Sequence, residues 1–142
     1  MHSRKSDARA EQSGVPEYDE CVKFKGLTTL ESVGADDFVD NDAMPGMATD
    51  REGMINMMHM FLGAFPDLNI TVNHWVAEGD LVLGAMTTSG TQTGEFMGMP
   101  PSGKKFSISE MHMARVANGK IVEHWGVGDH LSMMQQLGLA PE

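Results

Sequence analysis

Three ionisable residues near the C-terminus have the types and spacing that acid/base chemistry needs. Glu110 and His112 lie two residues apart in the run KFSISEMHMARVA, and Asp129 ends the run KIVEHWGVGD. Both runs are rich in residues typical of strands, and side chains two apart on a strand share a face. Carboxyl and imidazole groups can transfer protons when their pKa lies near the working pH. These three residues are therefore the candidate catalytic residues.

The dipeptide Asn118-Gly119 predicts how the two runs pair. It favours a two-residue type I′ hairpin, so Ala117 is expected opposite Lys120, and the pairing can be counted outwards from there. The count predicts that one face of the sheet carries the opposed pairs Val116–Ile121, His112–Trp125, Glu110–Val127 and Ile108–Asp129. Ionisable groups on an apolar wall are the usual make-up of a small-molecule site, where burial is expected to raise the pKa of a carboxyl group.

Each candidate also has a purely structural interpretation. Asp129 precedes LSMMQQL and equally suits the N-cap of a short helix, a role compatible with catalysis. His112 could be a hydrogen-bonded core histidine, and Glu110 could pair with a basic side chain. A metal site formed with His124 is disfavoured because the count puts His124 on the opposite face. No phosphate-loop, dinucleotide or nucleophile motif occurs, so neither metal nor cofactor is expected.

The elements that must position these residues follow from the rest of the pattern. Residues 17–40 are read as two short helices. Thr49-Asp50-Arg51-Glu52 has capping-box spacing and predicts a helix that begins at Asp50 and stops at Pro66. Strands are predicted at 69–77, 80–90, 105–117 and 120–129, with an ordered rim loop at 91–104. A short helix follows Asp129, with Gly138 as the residue after its C-cap.

Helices followed by an antiparallel meander predict an α+β fold in which the helices cover one face of a curved sheet. The predicted domain spans residues 16–142, after a flexible tail at residues 1–15. With 20 acidic and 10 basic residues, the formal charge is −10. That balance argues against nucleic acid or an anionic membrane as partner and favours a small neutral ligand.

Two further features bear on location and assembly. Cys21 is the only cysteine, and no apolar run approaches the ~20 residues that span a bilayer, so a cytoplasmic protein is expected. The second face of the predicted hairpin is flat and apolar and predicts a homo-oligomer, specifically a dimer. Its residues are Met111, Met113, Gly126 and Gly128, with Arg115 and His124 beside them.

Six segments occur in an order that resembles one known family. They are ADDFVDND (35–42), AFPDLNITV (64–72), AEGDLV (77–82), GTQTGEFMGMPPSGK (90–104), ARVANGKIVEHW (114–125) and DHLSMMQQLG (129–138). Together they resemble the SnoaL-like polyketide cyclases, a branch of the nuclear transport factor 2-like superfamily. The resemblance implies a cone-shaped α+β barrel around a deep apolar pocket. It also implies an intramolecular aldol condensation without metal or cofactor.

The resemblance implies roles for particular residues. The family's acid/base aspartate corresponds to Asp129, and its assisting polar residue corresponds to His112 or Glu110. A flat apolar ligand, such as an aromatic polyketide, is expected to contact Trp125, Phe61, Met58, Phe96, Met97, His74 and Asn41. A binding protein without activity, an isomerase and an epoxide hydrolase are the alternatives on this scaffold. The predicted outward position of Arg115 counts against the hydrolase.

Overall fold

The structure, a computed structural model, describes residues 34–141 except for the side chain of Trp75. In chain order the elements of this part are β1 (Gly34–Asp40), α1 (Arg51–Ala64), β2 (Asn69–Glu78), β3 (Leu81–Thr91), β4 (Lys105–Ala117), β5 (Lys120–Gly128) and α2 (His130–Gln136). The strands form one sheet in the order β1-β5-β4-β3-β2, in which only β1 runs parallel to its neighbour. The predicted α+β fold is confirmed, with helices packed on a curved sheet that does not close over these residues.

The inner face of the sheet carries the core. Near β1, Met54 and Met58 of α1 pack with Phe38 and Met86. Towards α2, aromatic rings of α1 and the loop after β3 pack on Phe106 and Ile108, and Met133 and Leu137 close this end. Neither α1 nor α2 has the length and apolarity needed to cross a membrane. A cytoplasmic location stays a prediction.

The prediction of helix over residues 34–40 is wrong, because this segment forms β1. Phe38 and Asp40 are buried while Val39 between them is exposed, which is the period of a strand. β1 also pairs with the backbone of β5 and so covers an edge that would otherwise be open. The predictions for residues 1–15 and 17–33 lie outside the described residues.

The predicted helix α1 is confirmed, with its cap one residue later than expected. Asp50, rather than Thr49, is the N-cap, and its carboxylate accepts the backbone N–H of Gly53 at 2.9 Å. The helix ends at Ala64, ahead of Pro66. Its buried face includes the predicted Met54 and Met58.

The turn at Asn118-Gly119 is confirmed, but the pairing counted from it is wrong beyond Ile121. Both turn residues have positive φ, and Val116 faces Ile121 as expected. The next pair is Arg115 with Glu123, so β5 contains one extra residue, Val122, in a β-bulge. Because side chains alternate, the bulge moves every later residue of β5 to the other face.

The loop between β3 and β4 is ordered, as predicted, and one buried side chain holds it together. Gln92 is fully buried, and its amide donates to the carbonyl oxygens of Gly94 (3.3 Å) and Pro100 (3.1 Å). Its side-chain oxygen accepts the hydroxyl of Ser102 at 2.7 Å. Phe96 anchors the loop in the core, with its ring centroid 5.4 Å from Phe61.

Candidate active site

A cavity lies between α1, α2 and the inner face of the sheet. Its volume is about 80 Å³. Most of the described residues that line it are apolar: Met57, Met58, Phe61, Leu62, Leu68, Ile70, Phe106, Ile108 and Met133. It is polar at four positions, Thr88, Glu110, His112 and His130. An apolar wall with a few convergent polar groups is what a small-molecule site requires.

Glu110 stands between two imidazoles in this cavity. On the inner face of β4, its Oε2 lies 3.3 Å from His112 Nε2 and 3.7 Å from His130 Nε2. Gly128 is its partner on β5, and a Cβ there would lie only 2.8 Å from Oε2. The carboxylate therefore occupies space that only glycine leaves open.

The contacts continue from the cavity into the protein. His112 Nδ1 lies 2.8 Å from His124 Nε2, and His124 Nδ1 lies 2.9 Å from Asp40 Oδ1. The two imidazole rings are stacked, with centroids 5.1 Å apart. A Cβ on Gly126 would come within 2.6 Å of His112 Nδ1, so this second glycine makes room for the pair. We call Asp40, His124, His112 and Glu110 the acid–histidine chain.

The pKa of Glu110 moves in the direction opposite to the sequence-based expectation. Burial raises it, as expected, but the hydrogen bonds from His112 and His130 outweigh burial and hold the pKa well below its usual range. The pKa of His130 is raised, first by its hydrogen bond to Glu110 and also by the charges of Glu110 and Asp129. At neutral pH, Glu110 is therefore an ionised carboxylate between the two imidazoles.

These shifts predict how stability depends on pH. A raised folded-state pKa means that the contribution of His130 is complete below its unfolded pKa of about 6.5 and is lost as pH rises through the folded value. The contribution of Glu110 is present above its unfolded pKa of about 4.3 and is lost as pH falls. In urea titrations, wild type should exceed His130→Gln in unfolding free energy near pH 6, by under about 1 kcal/mol because His130 is half exposed. The difference should shrink as pH rises through the raised folded-state pKa of His130, and a constant difference would contradict the assignment.

The structure brings together four of the residues predicted for the site and separates the others. Met58, Phe61, Glu110 and His112 line the cavity. The prediction that Trp125 shares their face is wrong, because the bulge turns it outward opposite Met113, where the Arg115 guanidinium lies 5.7 Å from its ring centroid. Three other predicted contacts also lie outside the cavity lining. Phe96 is fully buried and Met97 is exposed. The side-chain amide of Asn41 donates to a side chain and to a backbone carbonyl oxygen of β5.

Asp129 and His74 lie together on the outer side of the sheet. The prediction that Asp129 faces Ile108 is wrong, since its N–H donates to the carbonyl oxygen of Ser109 at 3.2 Å. Its carboxylate accepts the N–H of Ser132 at 3.2 Å and caps α2, the alternative role considered for it. Asp129 and His74 border a groove with Met111 and Val127. The outward turn of His74 follows from a second bulge, at residue 73 of β2.

Sequence reasoning missed Asp40, His124, His130 and Thr88. His124 was excluded from the site only because the counted register placed it outside, and that premise is wrong. The alternate glycines Gly126 and Gly128 were a signal for crowded side chains on the inner face. Within residues 34–141, no three acidic, histidine or cysteine side chains are arranged to hold a metal ion. The ring nitrogens of His112 and His124 that face each other are already engaged.

Comparison with known proteins agrees with this fold. The profile of the family described as SnoaL-like polyketide cyclase matches residues 15–137. Over 60 residues, the chain is 35% identical to aklanonic acid methyl ester cyclase DnrD from Streptomyces peucetius, a match that covers 42% of this chain and 41% of DnrD. The match therefore spans less than half the length of that curated relative.

Two solved structures are similar over nearly the whole chain. IdmH, a candidate polyketide cyclase from Streptomyces antibioticus, is 37% identical, with a TM-score of 0.71 over 94% of this chain and 98% of IdmH. AclR, a candidate hydroxylase from Streptomyces galilaeus, is 26% identical, with a TM-score of 0.73 over all of this chain and 89% of AclR. The profile match extends over most of the sequence, and the chain belongs to the SnoaL-like polyketide cyclase family.

Proposed function

We propose that this protein is a cofactor-independent acid/base enzyme that closes a ring in a small apolar carbonyl compound by an aldol reaction, as a polyketide ester cyclase. The observation that carries the proposal is the position of Glu110, an ionised carboxylate between two imidazoles on the wall of an apolar cavity. The relatives support the substrate class, because DnrD is an aklanonic acid methyl ester cyclase.

The residues of the cavity divide the chemistry between them. Glu110 takes a proton from a carbon that neighbouring carbonyl groups have already acidified. That acidity offsets the weakness of a carboxylate base whose pKa the two imidazoles hold low. His112 and His130 stabilise the carboxylate, and each can return a proton to the new alkoxide. In this proposal Asp129, the acid that the resemblance implied, serves as the cap of α2.

Thr88 offers the substrate a hydrogen bond. Its Oγ1 is buried in the cavity wall and forms no hydrogen bond of ordinary geometry with the described residues, although its proximity helps to lower the pKa of Glu110. A buried hydroxyl without a partner is costly, and a substrate carbonyl oxygen can supply one. Thr88 is therefore proposed to orient the carbonyl group next to the base.

The cavity is small for a polyketide. Its volume of about 80 Å³ is below the range of roughly 300–1,000 Å³ that is usual for sites of drug-sized ligands. Three of its lining residues are methionines, Met57, Met58 and Met133, whose unbranched side chains adapt readily to a ligand. We propose that these side chains rearrange when the ring system enters.

The alternative of a binding protein without activity is favoured by the same apolar lining. The isomerase and epoxide hydrolase alternatives gain less support. For the epoxide hydrolase, Arg115 does not supply the basic group that would orient a water. It faces outward, and its guanidinium donates to Asp80 (2.7 and 2.9 Å) and Glu123 (3.0 Å). The similarity to AclR shows that the scaffold alone does not fix the reaction.

A direct test uses the substrates of the relatives. The protein is incubated in D₂O with aklanonic acid methyl ester, for which DnrD is named, or with nogalonic acid methyl ester, for which a similar cyclase from Streptomyces nogalater is named. The products are separated and weighed by mass spectrometry. An aldol cyclisation should give a ring-closed product with the elements of the starting ester. Reversible removal of the carbon-bound proton should also exchange deuterium into recovered ester faster than in a control without protein. Binding without either exchange or ring closure would support the binding protein and overturn the enzyme.

The outer face of the sheet is proposed as a homodimer contact. The bulge changes its composition from the predicted one, since Gly126 and Gly128 lie inside, and Trp125 and Val127 take their place. Val127 and Met111 are 67% and 51% exposed, so the patch is apolar enough to be covered by a second copy. Sedimentation at micromolar concentration should give a dimer, and Val127→Lys should shift it to monomer. A monomeric wild type would refute this proposal.

A further inference from the structure

The acid–histidine chain contains three polar contacts in a row. Asp40 Oδ1 meets His124 Nδ1 at 2.9 Å, His124 Nε2 meets His112 Nδ1 at 2.8 Å, and His112 Nε2 meets Glu110 Oε2 at 3.3 Å. Asp40 and His124 are only 3% and 7% exposed. Water therefore has little access to the inner part of the chain, and the side chains must satisfy one another.

Counting protons shows that two neutral imidazoles cannot satisfy this chain. In each contact, two atoms that can both carry a lone pair face each other. They form a hydrogen bond only when a proton lies between them, so three contacts require three protons. Neutral His112 and His124 bring one ring proton each, and an ionised carboxylate brings none. One additional proton must belong to the chain.

The carboxylates are poor places for the additional proton. Asp40 Oδ1 already accepts the backbone N–H of Asp42 at 3.1 Å as well as facing His124, which favours the ionised form. Glu110 Oε2 faces both His112 and His130. We propose that His112 and His124 together hold three ring protons at neutral pH and therefore share one positive charge between the carboxylates of Asp40 and Glu110.

The surroundings of the pair are consistent with that charge. β1 contributes Asp40, β4 contributes Glu110, and α2 contributes His130 on the far side of Glu110. The residues of α1 that line the cavity are apolar, and β3 contributes the hydroxyl of Thr88. Among residues 34–141, the carboxylates of Asp40 and Glu110 face the pair directly, and His130 is separated from it by Glu110.

The catalytic role of this charge rests on the proposed function. Glu110 takes the proton from carbon, the new C–C bond forms, and the carbonyl oxygen becomes an alkoxide. The Nε2 proton of His112 then passes to the alkoxide and completes the hydroxyl group. The proton on Glu110 moves to His112 Nε2, so every proton is accounted for and the enzyme is regenerated. Asp40 and His124 act as positioning residues that hold the charge on His112.

Nitrogen NMR of the imidazole rings tests the charge without any substrate. At about pH 8, where an ordinary histidine with a pKa of about 6.5 is neutral, the pair in wild type should show the signals of one imidazolium shared between two rings. Asp40→Asn removes one of the two flanking carboxylates and should lower the titration midpoint of the pair. Asp37→Asn, an exposed acid of the same strand, is the matched control and should leave the midpoint unchanged.

The outcomes separate this inference from the proposed function. Two neutral rings in wild type at that pH would overturn the inference, whether or not Asp40→Asn folds. An unchanged titration midpoint in a folded Asp40→Asn would also overturn it. A charged pair in a protein that neither exchanges nor cyclises the esters would support the inference and overturn the function. In an active enzyme, Asp40→Asn should lower kcat more than tenfold and shift the pH profile, with little change in KM.

Discussion

Replacing Glu110 by Gln is expected to lower the rate of ring closure by about 10²–10⁴, the range typical of a lost general base. The amide keeps nearly the same shape but cannot accept a proton from carbon. Asp129→Asn should lower the rate less than tenfold. Asn caps helices as well as Asp does, so this change removes the charge and keeps the structure of α2. The two variants therefore compare the acid in the cavity with the acid that the family resemblance implied.

Three measurements make the comparison decisive. Single-turnover rates report the chemical step, ligand titration shows that each variant still binds the ester, and urea unfolding shows that it is folded. If Asp129→Asn loses more activity than Glu110→Gln, the acid/base role belongs to Asp129 and the assignment to Glu110 fails. Equal small losses in both variants would remove both carboxylates from the mechanism.

Local patterns in the sequence were sufficient to predict most of the fold. Asn118-Gly119 requires positive φ at two successive residues, and this requirement fixed the hairpin turn. The apolar spacing of α1 placed Met58 and Phe61 on the helix face that the cavity uses. Glu110 and His112 were found because they lie on one strand without a bulge between them, where the period of two is uninterrupted.

The rest of the site depends on contacts that no local pattern contains. The extra residue Val122 lets Glu123 meet Arg115 at 3.0 Å and lets His124 meet Asp40 at 2.9 Å, and these partners are distant in sequence. A count in steps of two carries no information about where such a bulge falls. Because the count was wrong by one residue, it placed Trp125 on the inner face where the structure has His124. The same error placed Asp129 in the site, although it lies outside.

Gly126→Ala is expected to disable the site although it replaces no ionisable residue. The new methyl group would lie 2.6 Å from Nδ1 of His112 and 2.9 Å from the ring of His124, so at least one imidazole has to move. Overpacking of this kind costs about 1–3 kcal/mol of unfolding free energy. His112 Nδ1 and His124 Nε2 must stay near their separation of 2.8 Å to share a proton. We therefore also expect turnover to fall at least tenfold and the NMR signature of the pair to disappear.

The matched control is Gly63→Ala in the last turn of α1. A Cβ there meets nothing within 4 Å, so the change should stabilise the protein by up to about 1 kcal/mol through helix propensity. Turnover of this variant should match wild type. Gly126→Ala that retains both full stability and the imidazole signals would mean that the rings are not packed against β5 as described. Loss of stability with unchanged turnover would separate the His112–His124 pair from the chemistry and leave Glu110 and His130 to carry it.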